Sequence, residues 1–204
     1  MITAIYLAAG KSSRMGEPKL SLPFGKDTIG NAALTEILAT PCIDYVLVIV
    51  QPTDHLSWIS TENSNLLNGK KGEVIKCKEA NKGQSYSLQA GFAAAIEKKF
   101  EKMLVCLADQ PFVTSSMLSK IVETPFYPPK EEYVASMHDG VLMPPILFHQ
   151  TVYEKINQLK GDAGARKLLK KGLLHGKKIE FSNDIYFIDI DTKIDYDKAL
   201  ARRK

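Results

Sequence analysis

Two short runs, "YVLVIV" at residues 45–50 and "MLVCLA" at 103–108, carry no charged residue at any position, and this constrains the fold more than any other feature of the chain. A strand with one face in water alternates apolar and polar side chains; one that is apolar throughout needs cover on both faces, the situation of a parallel sheet between helices. Similar short runs alternate along the chain with longer segments of helical periodicity. The pattern predicts strands over 2–8, 45–50, 73–77, 103–108, 133–136, 145–148, 178–181 and 186–190. It predicts helices over 28–39, 85–99, 115–123, 150–158, 162–171 and 194–202. The expected class is α/β, a mostly parallel sheet with its centre at the two apolar runs. Prolines 125, 128 and 129 and glycines 69 and 72 mark loops, and no repeat or linker interrupts the chain. At 204 residues, 45% of them hydrophobic, one domain over 1–204 is expected.

Composition weighs against several functions. The 27 Lys and Arg against 23 Asp and Glu give a net charge of +4, too small a bias to call for nucleic acid, though it suits an anionic small molecule. Cys42, Cys77 and Cys106 are odd in number and far apart, so neither a disulfide framework nor a zinc cluster is indicated. Residues 2–9 are too short for a signal-peptide core, and no apolar run approaches the ~18 residues of a membrane span. A soluble, cytoplasmic protein without a membrane partner is the expectation. There is no G-x-S-x-G elbow, and His55, His138, His149 and His175 lack metal-ligand spacing.

In open α/β sheets ligands gather beyond the carboxyl ends of the strands. Four polar clusters fall near such ends or in loops: residues 10–19, 81–87, 109–111 and 161–166. The first is not a Walker A loop, because Ile5 stands where the earlier glycine belongs. It does offer backbone N–H groups between Gly10 and Gly16 to an anion, with Arg14 and Lys19 as counter-charges. Asp109 follows an apolar strand directly and suits Mg²⁺ held against a phosphate, or else caps the helix near Ser115 or the turn itself. Asp189 and Asp191, two apart, would share one side of an extended segment as a paired-carboxylate metal site, with an N-cap role for Asp191 the alternative. "NKGQSYSL" gathers Gln84, hydroxyls and free N–H groups at a helix start, and "GDAGAR" joins an Asp162 cap to an Arg166 able to clamp a phosphate.

Taken together these stretches resemble the MobA-like nucleotidyltransferases, and among them the molybdenum cofactor cytidylyltransferases, including the purine-catabolism accessory members associated with xanthine dehydrogenase maturation. "LAAGKSSRMGEPKL" is similar to the family signature, and "NKGQSYSL", "LADQP", "GDAGAR" and "DIDT" follow in the family's order. The resemblance implies a Rossmann-like three-layer α/β/α sandwich of the nucleotide-diphospho-sugar transferase type. It implies transfer of CMP from CTP to the phosphate of molybdopterin, with Mg²⁺ as cofactor and a molybdenum hydroxylase apoenzyme such as xanthine dehydrogenase as a partner. Leu7, Ala8, Ala9, Gly10 and Lys11, with Arg14 and Lys19, are then the nucleotide-binding positions, and Lys19 and Arg14 the catalytic cations. Asp109 and Asp191 fall to the metal, and Asn81, Gln84, Ser85, Asp162 and Arg166 to the acceptor. The family's LAAG form goes with cytidylyl and LAGG with guanylyl transfer; this chain has Ala9. It departs from the family at "GVLMPPILF", where Pro144 stands in place of a polar residue. Two other functions remain open at this level: transfer to a sugar or alditol phosphate, and a non-catalytic carrier of the molybdenum cofactor.

Overall fold

The computed structural model describes residues 1–170 and 172–203. Seven strands form one sheet: β1 (Ile2–Leu7), β4 (Tyr45–Val50), β5 (Gly72–Lys76), β6 (Lys102–Leu107), β7 (Tyr133–His138), β8 (Val141–His149) and β9 (Gly176–Glu180), in the order β5-β4-β1-β6-β8-β7-β9. All run parallel except β8, which is antiparallel to both neighbours. A small hairpin, β2 (Pro23–Phe24) and β3 (Asp27–Thr28), stands apart from it. The helices are α1 (Ile29–Ala39), α2 (Thr61–Leu66), α3 (Gln84–Glu97), α4 (Ser115–Glu123), α5 (Tyr153–Asn157), α6 (Arg166–Lys170) and α7 (Lys193–Arg202).

The apolar strands sort their side chains by parity. Ala4, Tyr6, Val46, Val48, Leu104 and Cys106 face α1 and α4 on one side, against Leu34, Ile37, Leu118 and Ile121. Ile5, Leu47, Ile49, Met103 and Val105 face the other side, against Leu88 and Phe92 of α3, Ile156 of α5 and Leu168 of α6. This is the three-layer α/β/α arrangement. Burial of each Leu, Ile or Phe contributes roughly 1.5–3 kcal/mol, and the two cores together hold the sheet rigid. Packing of α3 on β1 is close enough to require Gly91, since a Cβ there would lie 2.4 Å from Ile5 Cγ2. No helix among the described residues is long and apolar enough to cross a membrane.

Several expectations are corrected. Residues 186–190 are not a strand: Asn183 caps a short 3₁₀ turn, Asp184–Phe187, and the following residues lie outside the sheet. The apolar alternation there buries Phe187 and Ile190 against two cores rather than along a sheet edge. The helix expected over 162–171 is reduced to α6, with Lys171 outside the described residues, because residues 162–165 stay in an irregular loop after Gly161 at φ +62°. That expected over 150–158 begins with a 3₁₀ turn, Gln150–Val152, before α5. β8 is longer than the expected 145–148. It is joined to β7 by the two-residue turn Asp139-Gly140, both at positive φ as a tight hairpin demands. Pro144 and Pro145 lie within β8 where the register shifts between Ala135 and Ser136, so the irregularity absorbs two residues that cannot donate to the ladder. Neither α2, capped by Ser60, nor the β2–β3 hairpin is anticipated by the strand and helix periods.

Candidate active site

The carboxyl ends of β1 and β6, at the sheet centre, open beneath the loop of residues 8–18. The loop is shaped by its own polar atoms and by β4. Ala8 N donates to Ile49 O at 2.8 Å, and Gln51 Nε2 donates to Ala9 O at 3.1 Å and Gly10 O at 3.4 Å, which turns these carbonyls toward the β4 side. Ser12 O accepts from Met15 N and Gly16 N, and Ser12 Oγ accepts from Lys19 N at 3.1 Å. Among the described residues no acceptor pairs with the N–H groups of Ala9, Gly10, Lys11, Ser12 or Ser13. A Cβ at Gly10 would meet nothing within 4 Å, so the space above it is open to a ligand.

Under the loop lies a cleft of about 340 Å³. Leu7, Ala8, Ala9, Leu107 and Ala108 form its apolar part, Gly10, Lys11, Ser13, Arg14 and Lys19 its cationic side, and Ala80, Gly83, Gln84, Ser87 and Asp162 the opposite wall, with Asp109 also lining it. Its centre is a charge cluster. Lys19 Nζ, only 5% of the residue exposed, donates to Asp109 Oδ2 at 2.7 Å and to Asp191 Oδ1 at 2.9 Å, while Arg14 pairs with Asp191 Oδ2 at 2.8 Å. Desolvation pulls the Lys19 pKa down, but the Asp109 and Asp191 carboxylates outweigh it and hold the ammonium above its ordinary value. Asp189 keeps an exposed surface, yet its carboxyl is pushed up to about 6, chiefly by desolvation and then by the charge of Asp109, against the hydrogen bond that Gln110 Nε2 donates to it at 2.9 Å.

The helix-capping roles left open for the two aspartates belong to other residues. Thr114 caps α4, and Thr192 caps α7 in a capping box with Asp195. Asp109 and Asp191 are thereby free of the helices. Asp109 Oδ1 is buried with no hydrogen-bond partner among the described residues, an orphaned hard-oxygen donor that fits a divalent cation. The segment bearing Asp191 is pinned beside Asp109 by Ile190 N donating to Asp109 O at 3.0 Å, and by Ile190 and Tyr196 packed on Phe24.

Of the positions singled out in the sequence, Leu7, Ala8, Ala9, Gly10, Lys11, Arg14, Lys19, Gln84, Asp109 and Asp162 line the one cleft, and Asp191 joins them through its ion pairs. Ser85, Asn81 and Arg166 are not among its lining residues. Ser85 is fully buried and donates from Oγ to Gly161 O at 2.8 Å, its N–H bonding the same carbonyl, so it fastens two loops together. Gly83 makes that contact feasible: at φ +128°, its Cβ position lies 2.3 Å from the Gly161 backbone. Asn81 is exposed on the turn Ala80–Lys82, and Arg166 opens α6 with Nε buried and unpartnered among the described residues. Ser13, Ala80, Ser87 and Leu107 line the cleft and were not singled out; Ser87 is one helical turn beyond Gln84, a spacing that points to it. The histidines lack ligand spacing in sequence, yet the fold gathers His138, Asp139 and Glu180 at the β7–β8 turn, none of them part of the cleft.

Residues 4–177 match the family model of the MobA-like NTP transferase domain. The chain belongs to the MobA-like NTP transferase family. As a MobA-like protein it is 36% identical over 199 residues to the purine catabolism protein PucB of Bacillus subtilis strain 168, covering 96% of this chain and 94% of that one. Its fold is similar to that of Rv0371c from Mycobacterium tuberculosis H37Rv, with a TM-score of 0.75, 24% identity and 98% of each chain covered. A nucleotidyl transferase from Methanothermobacter gives a TM-score of 0.75 at 23% identity, over 100% of this chain and 99% of that one. The expected Rossmann-like nucleotidyltransferase architecture is thus the one observed, and the MobA-like chain is a nucleotidyltransferase by family.

Proposed function

We propose that the protein transfers CMP from CTP to the phosphate of molybdopterin, releasing pyrophosphate and forming a cytosine dinucleotide cofactor for a molybdenum hydroxylase such as xanthine dehydrogenase. The observation that carries this reading is the buried Lys19 ammonium between Asp109 and Asp191, beneath a loop in which the N–H groups of residues 9–13 have no acceptor among the described residues. An acceptor phosphate oxygen forms a bond to the α-phosphorus, and the bond from that phosphorus to the bridging oxygen breaks, with pyrophosphate taking the electron pair. Little covalent chemistry falls to side chains, so alignment and charge neutralisation supply the rate. The N–H groups of Ala9, Gly10 and Lys11, with Arg14, hold the triphosphate. Lys19 meets the charge that shifts about the α-phosphate. Asp109, with Asp191, would hold Mg²⁺, which supplies charge neutralisation across the phosphates.

Gln84 and Asp162, on the wall facing the loop, take the acceptor side, and Ser85 acts there as a positioning residue through Gly161. Arg166, half-buried at the start of α6, is the cation assigned to the acceptor phosphate. The similarity to PucB supports the purine-catabolism setting, and Ala9 supports cytosine over guanine. The test is incubation with Mg²⁺, CTP or GTP, and molybdopterin, with sugar phosphates as alternative acceptors. Pyrophosphate release with CTP and molybdopterin, and a dinucleotide product by mass spectrometry, is the expected result. Turnover with a sugar phosphate alone overturns the acceptor, and binding of molybdopterin without pyrophosphate release makes the protein a carrier.

A further inference from the structure

The two carboxylates assigned above to a divalent cation are already engaged by organic cations. Lys19 takes one oxygen of each, Arg14 takes the second oxygen of Asp191, and Asp109 Oδ1 alone is left without a partner. A divalent ion arriving at this cluster meets an ammonium that shares its ligands, and like charges so close in a partly buried site repel strongly. Lys19 is almost fully buried, and the two carboxylates hold its ammonium between them. It leaves the carboxylates only for another anion. The nearest place for one is against the open N–H groups of residues 9–13.

We propose that Lys19 and Arg14 stand in for the divalent cation in the ligand-free protein, so that metal and nucleoside triphosphate bind with strong mutual dependence. The triphosphate draws Lys19 and Arg14 away from Asp109 and Asp191, and the carboxylates so released take the ion. Each ligand removes the obstacle to the other, and the coupling is reciprocal as any binding linkage must be. Free metal binds weakly, metal-free nucleotide binds weakly, and the metal–nucleotide complex is the form the cleft accepts. This inference rests on the metal assignment of Asp109 and Asp191.

The probe is Mn²⁺, titrated into nucleotide-free protein at neutral pH and followed by its electron paramagnetic resonance signal. Lys19→Gln, which removes the competing charge and keeps a polar group, is expected to tighten Mn²⁺ binding by about tenfold. Arg14 is largely exposed, so Arg14→Gln folds regardless, and it is expected to tighten binding about two- to threefold, as a partly screened pair allows. Asp109→Asn added to Lys19→Gln is expected to abolish the gain. The signature is that Lys19→Gln binds the ion more tightly while turning over more slowly, which loss of structure does not produce. If neither cation variant binds Mn²⁺ more tightly than wild type, the stand-in role is overturned; the metal assignment survives if Asp109→Asn alone still removes Mn²⁺ binding in the presence of CTP. If the gain persists in the double variant, the ion binds elsewhere, and the assignment of Asp109 falls together with this inference.

Discussion

At Lys19 a single methylene chain carries a charge into a place where only 5% of the residue meets solvent, and the two aspartates around it make that burial tolerable. Lys19→Ala is expected to lower turnover by ~10²-fold or more with a much smaller change in CTP affinity, because its charge matters most as phosphate charge redistributes. Steady-state kinetics beside direct CTP binding check this, and near-normal turnover excludes the role. Ala9 offers a second test. Ala9 lines the cleft, so Ala9→Gly should relax a preference for CTP over GTP by only ~1–3 kcal/mol, the usual worth of one methyl in a pocket. The ratio of kcat/KM for the two nucleotides, with one acceptor, measures it. The place of Lys19, Arg14 and Asp109 in the cleft was legible in the sequence, because polar loops at the carboxyl ends of strands gather where an open α/β sheet leaves room. The place of Ser85 was not: a hydroxyl at a helix start looks alike whether it meets a ligand or, as here, the carbonyl of Gly161.

Between elements, the contact that closes the far wall of the cleft is made of backbone. Gly83, ahead of α3, and Gly161, ahead of the loop to α6, touch so closely that no side chain fits at residue 83. Gly83→Ala imposes both a left-handed φ on alanine and a Cβ at 2.3 Å from Gly161, and is expected to cost ~2–3 kcal/mol in stability. It should also raise the acceptor KM more than that for CTP; denaturant unfolding and kinetics on the same preparation read both. The strands of the sheet centre were legible from apolar runs alone. The segment over 186–190 was misread because alternation records only which residues are buried, and Phe187 and Ile190 are buried by two different cores instead of one sheet. The β7–β8 turn was missed for the opposite reason: its signal, Asp139-Gly140, lies between runs broken by Pro144 and Pro145.

For the molecule as a whole, the two cores on either side of the sheet decide what reagents can reach. Cys77 and Cys106 are buried and Cys42 only partly so, and burial drives the Cys106 thiol far above its ordinary pKa. A thiol-specific reagent is therefore expected to modify Cys42 quickly in the native protein and all three on unfolding, with a count of two or more fast thiols contradicting the packing described. The central charge cluster has a different consequence. Lys19 and Asp191 are 172 residues apart in sequence, and the segment carrying Asp191 runs between β9, at the sheet edge, and α7, which packs on Phe24 of the β2–β3 hairpin. Contacts of such separation form late, since the loop they close is long. On refolding from denaturant, helix and sheet signals should recover before catalysis does, and the lag should lengthen when Tyr196, which donates to Pro23 O at 2.6 Å, is replaced by Phe. During synthesis the same separation withholds the Lys19–Asp191 pair until residue 191 has left the ribosome.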